Sequence, residues 1–171
     1  MTLSATVTDP NELRYWLALH RAPLIGSVRF RRLLEHFGSP QAVFMAGPAG
    51  WGAIGVPART MDYLTAPRWE WVEADLRWIF SEGVGHHCLT LDHPLYPPLL
   101  REIPDPPAVI FVRGDPTILS GNHIAVVGSR SPTPSGQRTA REFARDLAMQ
   151  GLGIVSGLAV GIDAASHVGA L

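Results

Sequence analysis

The 171-residue sequence contains no lysine, and all 14 of its basic residues are arginine. A Walker A phosphate loop needs a Gly-Lys-Ser/Thr sequence, so that class of nucleotide site is excluded. Arginine is the better planar donor to phosphate, but a complete preference for it is more simply the product of a GC-rich genome. The formal net charge is −1, so no strong overall field points to nucleic acid or to a membrane surface.

Cysteine is almost absent as well. The single cysteine, Cys88, excludes an internal disulfide framework and a metal site made of cysteines alone. Long unbroken apolar runs are missing, and the first residues lack the basic and apolar regions of a secretory signal peptide. These absences predict a cytoplasmic protein with no membrane partner, and 46% hydrophobic residues are typical of a globular chain.

Residues 1–85 have helical periodicity throughout and predict an N-terminal helical domain. Glycine and proline separate the predicted helices, which cover residues 10–20, 26–37, 39–46, 57–65 and 67–82. Asp9 or Asn11 is positioned to cap the first helix. The last helix carries three tryptophans that we expect mainly in the domain core, with one ring at most exposed: Trp69, Trp71 and Trp78.

The hydrophobic period changes after the glycines at 83 and 85, where we expect the boundary to a second domain over residues 86–171. His86–Leu91 and Ala108–Val112 are short apolar runs and predict two strands. Six prolines stand between them, so we expect an extended connection without regular structure.

The remaining residues are rich in glycine and alternate between two kinds of pattern. Residues 124–127 form a nearly continuous apolar run, typical of a parallel strand buried on both faces. A helix is predicted over 135–150, a second buried strand over 153–157, and another helix from Gly161 onward. This order predicts a right-handed βαβ unit of a doubly wound sheet.

The predicted helix over 135–150 has an apolar stripe at three- and four-residue spacing. The stripe consists of Ala140, Phe143, Ala144, Leu147 and Ala148. Two parallel strands with one and a half helices cannot form a covered α/β sheet. We therefore expect either that this chain is the N-terminal portion of a longer protein or that a partner protein completes the sheet.

The two loops that follow the parallel strands are the candidate site. Glycine allows a sharp turn, and successive amides at a helix N-terminus attract an anion, which an arginine also matches. The candidate contacts are Gly128, Ser129, Arg130 and Ser131 in the first loop and Ser156, Gly157 and Gly161 in the second. Neighbouring parallel strands place both loops at one sheet edge, which suits consecutive phosphates of a nucleotide or a nucleic-acid backbone.

The residues argue against a dinucleotide cofactor, and no other cofactor is predicted. Arg130 stands where the Gly-x-Gly fingerprint needs its second glycine. Ser156 and Gly157 stand where an acidic residue would hold the ribose.

Two arginine stripes have two possible explanations each. Arg138, Arg141 and Arg145 share one side of the predicted helix over 135–150. They form either a stripe for a phosphate backbone or, as we prefer, a solvated helix face; Arg138 is kept as a candidate DNA contact. Arg29 and Arg32 form a similar stripe after Ile25-Gly26. They form either a weak helix-hairpin-helix-like DNA contact or, as we again prefer, a solvated helix face.

Asp163 and His167 stand four residues apart on the last predicted helix. A metal site needs more ligands than this pair, so we predict a hydrogen-bonded pair that shapes the loop. No Ser-His-Asp or paired-carboxylate constellation can be assembled, and no catalytic or metal-binding residue is predicted.

Three segments together are distinctive: VVGSR at 126–130 with the downstream Gly136, IVSGLAVGIDAASHVGAL at 154–171, and LDHPLYPPLLREIPDPPAVIFVRGD at 91–115. They closely resemble the DprA (Smf) family of DNA-processing proteins. The resemblance implies a sterile-alpha-motif-like or helix-hairpin-helix-like N-terminal domain followed by the start of an extended Rossmann fold, an α/β architecture.

The same resemblance implies a function without catalysis. Proteins of this family bind single-stranded DNA, protect incoming strands during natural transformation and help load the RecA recombinase. The full-length protein is expected to be a homodimer. The family's DNA-contacting arginine falls on Arg130, whereas Val160 and Ser135 depart from the basic and aromatic residues that relatives often carry there.

Two other classes of function compete with DNA binding. One is a nucleotide-processing enzyme related to the phosphoribohydrolases, whose Rossmann-like fold is similar and whose catalytic loop would lie after Leu171. The other is an interaction module whose helical domain mediates only self-association or docking.

Overall fold

Six helices follow one another from Pro10 to Ile79 in the computed structural model, which describes residues 9–83 and 85–171. They are α1 (Pro10–His20), α2 (Ser27–Phe37), α3 (Pro40–Met45), α4 (Gly47–Ala53), α5 (Ala58–Thr65) and α6 (Trp69–Ile79). The predicted helical domain is therefore confirmed in all five of its helices. The sequence had not predicted α4, because its first four residues include two glycines and a proline.

Local side-chain chemistry explains where these helices begin. Asp9 caps α1 by accepting a hydrogen bond from the amide of Asn11 at 2.9 Å, so Asp9 and not Asn11 is the cap. Ser39 does the same for α3, where its Oγ accepts from the amide of Ala42 at 3.1 Å. A proline follows each of these caps, where its missing amide proton is not needed.

The core of the helical part contains Trp16 and Trp51, and of the three α6 tryptophans only Trp69 packs against it. Trp16 stacks on Phe30 with ring centroids 5.3 Å apart, and the Trp51 indole donates to the Val43 carbonyl at 2.6 Å. The sequence predicted one exposed ring at most in α6, whereas two are exposed: Trp71 by 46% and Trp78 by 37%. The inward stripe of α6 consists of Trp69, Val72, Leu76 and Ile79, and the other two rings project from the flanks of the helix.

Two antiparallel strands, β1 (His86–Thr90) and β2 (Val109–Arg113), confirm the predicted strands to within one residue. Cys88, Ala108 and Val109 join the hydrophobic core of the helices. The first compact unit therefore continues to Pro116 and is larger than the helical domain predicted over residues 1–85. Independent folding of residues 1–85 stays a prediction, and Val84, within its expected boundary, lies outside the described residues.

The sequence predicts no regular structure in the proline-rich connection between these strands, and the structure corrects this. A short helix, α7 (Pro98–Arg101), interrupts it, because proline is well tolerated in a first helical turn. Tyr96 anchors the connection: its ring is buried and its hydroxyl donates to the Pro107 carbonyl at 2.8 Å.

The second compact unit, Thr117–Leu171, contains the predicted βαβ arrangement. Strand β3 (His123–Ala125) pairs in parallel with β4 (Gly153–Val155), and α8 (Pro134–Met149) connects them. Helix α9 (Ile162–Ala170) follows β4 and packs on α8. A Cβ on Gly169 would lie 2.9 Å from the Arg141 carbonyl carbon, so this glycine allows the close approach of the two helices.

Burial in this unit departs from the prediction. Both strands are shorter than expected, and Val127, predicted in the first strand, lies beyond β3 and is 75% exposed. Val155 at the end of β4 is 49% exposed, so the strands are not covered on both faces. The sheet of this unit has only two strands among the described residues, so their outer side chains lack neighbours. In the α8 stripe Ala144 is buried, but Phe143 is 60% exposed because α9 covers only the alanine side.

No helix in the described ranges combines the length and the apolar character that crossing a bilayer requires.

Candidate nucleic-acid interface

The loops after β3 and β4 lie against each other at the carboxyl edge of the two-stranded sheet. The Ile162 amide donates to the Ser129 carbonyl at 3.1 Å. Gly161 has a φ of +94°, and a Cβ on it would lie 2.8 Å from the Arg130 Cα. The predicted adjacency of the loops is thus confirmed, and it depends on a glycine at position 161.

Gly128 is required by the same packing. A Cβ at this position would lie 2.8 Å from the Cβ of Ile162, the first residue of α9. Gly128, in the loop after β3, therefore lets the start of α9 approach this loop. This role was not evident from the sequence, where Gly128 was expected to allow the turn and to contact the ligand.

Hydroxyl groups shape the first loop. The Ser129 Oγ accepts from the Ser131 amide at 3.1 Å, and the Thr133 Oγ1 caps α8 by accepting from the Gly136 amide at 3.1 Å. Ser135 is the second residue of α8, which begins one residue earlier than predicted. Its Oγ lies 3.1 Å from the Thr133 Oγ1.

A hydrogen-bonded chain shapes the second loop. The Ser156 Oγ lies 2.7 Å from the His167 Nε2 and accepts from the Leu158 amide at 3.0 Å. The buried Asp163 carboxylate accepts from the Ala159 amide at 3.4 Å. The prediction that Asp163 pairs with His167 was therefore wrong: each of the two side chains bonds to the loop separately, because the loop folds back over the start of α9.

The contact between Ser156 and His167 raises the question of a nucleophile and its base. Such a pair needs a third group that orients the imidazole through its other nitrogen. Among the described residues no acceptor is bonded to the His167 Nδ1, and the Asp163 carboxylate is directed to the Ala159 amide. The contact between Ser156 and His167 joins the second loop to α9.

Donors at the sheet edge remain free for a ligand. In the described part of the chain no hydrogen bond occupies the amides of Arg130, Gly157 or Gly161. The Arg130 side chain is exposed and makes no ion pair with any described acidic residue. A positively charged guanidinium and several amides thus lie at one edge, where they are able to bind an anion.

The structure brings seven of the eight candidate residues into the two touching loops. The eighth, Arg138, lies about one turn into α8 and is exposed, as are Arg141 and Arg145. Within the described ranges none of these three arginines has a salt bridge, which agrees with the preferred solvated face. Their part in DNA binding, like that of the loop residues, stays a prediction.

The arginines of α2 are partly engaged within the first unit. The Arg29 guanidinium donates to the Leu24 carbonyl, and Arg31 pairs with Glu35 at 3.8 Å.

No metal site is formed among the residues that the structure describes, because no three or more His, Cys, Asp or Glu side chains lie close enough together to hold a metal ion.

Two family models match the chain. One, described as DNA recombination-mediator protein A, matches residues 87–171. The other, described as a DprA-like N-terminal HHH domain, matches residues 10–64. The second match agrees with the helix-hairpin-helix alternative for the N-terminal helices.

Individual relatives agree with the family models. Protein Smf of Synechocystis sp. is 33% identical over 167 residues, which are 92% of this chain and 40% of that protein. The DNA processing protein DprA of Bacillus subtilis is 41% identical over 88 residues, or 51% of this chain and 30% of that protein. The chain thus spans about two fifths or less of the length of these two relatives.

A solved structure has the same fold. The X-ray structure of DNA processing protein A (DprA) from Streptococcus pneumoniae superposes with a TM-score of 0.57 at 22% sequence identity. The superposition covers 97% of this chain and 54% of that one. The predicted fold class, a helical domain followed by the start of an extended Rossmann fold, is confirmed by this likeness.

Proposed function

This chain belongs to the DprA (Smf) family, and we propose that it binds the backbone of single-stranded DNA without sequence preference. The observation that carries the proposal is the contact of the two loops, with Gly161 packed against the backbone of Ser129 and Arg130. The free amides of Arg130, Gly157 and Gly161 and the unpaired Arg130 guanidinium therefore lie on two touching loops.

The chemistry of this edge suits phosphate better than a neutral ligand. Amides near a helix N-terminus favour negative charge, and α8 and α9 both begin at these loops. Arg130 adds a planar donor that matches two phosphate oxygens. Because phosphates carry no sequence information, a site made of such contacts tracks a backbone rather than reading bases.

The biological role and the partners extend this proposal. The Bacillus subtilis relative is named a DNA processing protein. We infer that the protein carrying this chain protects incoming DNA in natural transformation and delivers it to the RecA recombinase in the cytoplasm. In this role it acts as a homodimer and as a binding protein rather than as an enzyme.

A titration against ionic strength tests the binding mode. We expect oligonucleotides of single-stranded DNA to bind much more tightly than blunt duplex of the same length. The logarithm of the binding constant is expected to fall linearly with the logarithm of salt concentration, because bound arginines release counterions. Equal affinity for duplex, or an affinity independent of salt, would contradict the proposal.

A further inference from the structure

Leu158 has an unusual backbone conformation in the second loop. Its φ is +55°, and in the described part of the chain only one other residue besides glycine, Leu24, has a positive φ. A side chain with a Cβ is disfavoured in this left-handed region, which glycine or asparagine normally occupies. Leucine at this position therefore raises the conformational energy of the loop relative to glycine or asparagine.

Neither burial nor packing offsets that cost within the chain. The Leu158 side chain is 77% exposed, and Val160, two residues further along the loop, is 70% exposed. A leucine that remains in water contributes almost none of the free energy that a buried leucine provides. The exposed side chain thus gains its stabilisation only when something covers it.

The backbone that presents Leu158 is held firmly. Its own amide is bonded to Ser156, which is in turn bonded to His167, and the next amide, that of Ala159, is bonded to the buried Asp163. Three residues after Leu158, Gly161 touches the backbone of Arg130. The leucine is consequently fixed on the same loop as part of the proposed phosphate site.

We propose that Leu158 contacts the face of an unstacked nucleobase of the DNA strand that the two loops hold by its phosphates. This inference rests on the proposed function and deepens it, because it adds a determinant of single-stranded over double-stranded binding. The faces of bases are stacked inside a duplex and become accessible in a single strand. An aliphatic side chain covers any base face by apolar burial, so the contact is independent of sequence.

Removing the bases separates this contact from phosphate binding. The probes are an oligothymidine strand and an abasic deoxyribose-phosphate strand of the same length, each titrated at several salt concentrations. We expect the unsubstituted protein to bind oligothymidine about tenfold more tightly than the abasic strand, which corresponds to the burial of one leucine against a base.

Leu158→Gly is the informative variant because glycine adopts the left-handed conformation without strain. We expect it to lose most of the tenfold preference for oligothymidine, while its salt dependence on both strands and its melting temperature are not reduced. Leu24→Gly is the matched control, since it removes an exposed leucine of the same backbone conformation from the first unit. It is expected to bind both strands as the unsubstituted protein does.

Three results would overturn the assignment. Equal binding of both strands by the unsubstituted protein, or an unchanged preference in Leu158→Gly, would show that the leucine makes no base contact. A clearly lower melting temperature of Leu158→Gly would show that the side chain packs within the protein. By contrast, an absence of salt-dependent binding to either strand would overturn the phosphate site itself, and with it this contact.

Discussion

At the scale of single residues, the position of Arg130 distinguishes this loop from a cofactor-binding one. Its Cα lies beside Gly161 of the neighbouring loop, and its side chain is exposed and unpaired among the described residues. A second glycine here would leave room for a pyrophosphate against the backbone. The arginine instead supplies a charge at the place where the two loops meet.

Replacing Arg130 with alanine is expected to weaken binding of single-stranded DNA by about 1–3 kcal/mol and to reduce the salt slope by about one. The loss should be similar for strands of different sequence, because phosphates are uniform. Arg138→Ala is the matched control on the solvated face of α8 and should change affinity less. A folded Arg130→Ala protein with unaltered affinity and salt slope would refute the assignment.

Cys88 illustrates how burial governs the chemistry of one residue. Burial raises the pKa of the Cys88 thiol to about 12, and the negative charge of Asp75 acts in the same direction. Since the thiolate is the reactive form, we expect the folded protein to react with a thiol-specific reagent at pH 8 only after unfolding. Rapid modification before unfolding would contradict the buried position.

The same shift predicts how stability depends on alkaline pH. The folded thiol keeps its proton up to about pH 12, whereas an unfolded thiol loses it near its ordinary value of 9.0. The unfolded state therefore binds fewer protons between these values, so the stabilisation is complete below pH 9 and is lost as pH rises toward 12. Denaturant unfolding of the protein and of Cys88→Ala at pH 8 and pH 10.5 measures the difference, which should shrink at the higher pH.

At the scale of elements, the contact between α8 and α9 depends on a glycine within a helix. Alanine is normally better than glycine in a helix by about 1 kcal/mol. At Gly169, however, the added Cβ would lie 2.9 Å from the Arg141 carbonyl carbon. We expect Gly169→Ala to destabilise the second unit, because the two helices must separate to admit the methyl group.

Gly52 in α4 provides the matched control for this substitution. A Cβ on Gly52 would have no atom within 4 Å, so Gly52→Ala should show the ordinary gain of a few tenths to about 1 kcal/mol. If the helices are as close as described, chemical denaturation shows a lower free energy of unfolding for Gly169→Ala and a higher one for Gly52→Ala. Stabilisation by both substitutions would mean that α8 and α9 are further apart.

A second prediction at this scale concerns the ion pair between Arg21, the residue after α1, and Asp75 of α6. The Arg21 Nε and Nη2 each donate to an Asp75 carboxylate oxygen at 2.6 Å, and the Asp75 hydrogen bond raises the pKa of Arg21. Both side chains are partly exposed, so we expect a coupling energy of about 1 kcal/mol in a double-mutant cycle of Arg21→Ala and Asp75→Ala. A coupling near zero would mean that solvent competes fully with the pair.

The elements that were predicted from the sequence are those that a local pattern defines. Periodicity and proline or glycine boundaries gave the five helices and the strands, since burial of one face follows from spacing alone. Helix α4 was missed because its glycines oppose helix propensity and its single large side chain, Trp51, is fixed by a bond to Val43 of the preceding helix, which no helical spacing predicts. The burial of β3 and β4 was overpredicted because an apolar strand sequence indicates that both faces can be buried, but it does not indicate which elements are present to cover them.

For the candidate site, the sequence likewise predicted which elements meet but not the path of the loop backbone. The adjacency of its loops follows from the order of strands and helices, so Gly128–Arg130 and Ser156–Gly161 were brought together correctly. The bond between Ser156 and His167 and the left-handed conformation of Leu158 were not predicted. Both depend on the path of the loop backbone, for which no spacing rule exists.

At the scale of the whole chain, two positions compete for the boundary between folding units. The change of hydrophobic period predicts it at residues 83–85, whereas the residues through Pro116 form one compact unit in the structure. The physical reason is that Cys88, Ala108 and Val109 complete the core of the helices. Cutting before β1 would expose that core, whereas a cut after β2 would leave it closed.

Limited proteolysis distinguishes the two boundaries, and thermolysin suits the purpose because it cleaves before aliphatic residues. It has a potential site at Val84 in the first region, and another at Ile118, whose side chain is 63% exposed, in the second. We expect early cleavage near Ile118 and a stable fragment that ends there, since strands paired in a sheet and packed in a core resist local unfolding. Early cleavage at residues 83–85, with residues 86–171 persisting as one stable fragment, would instead support the boundary predicted from the sequence.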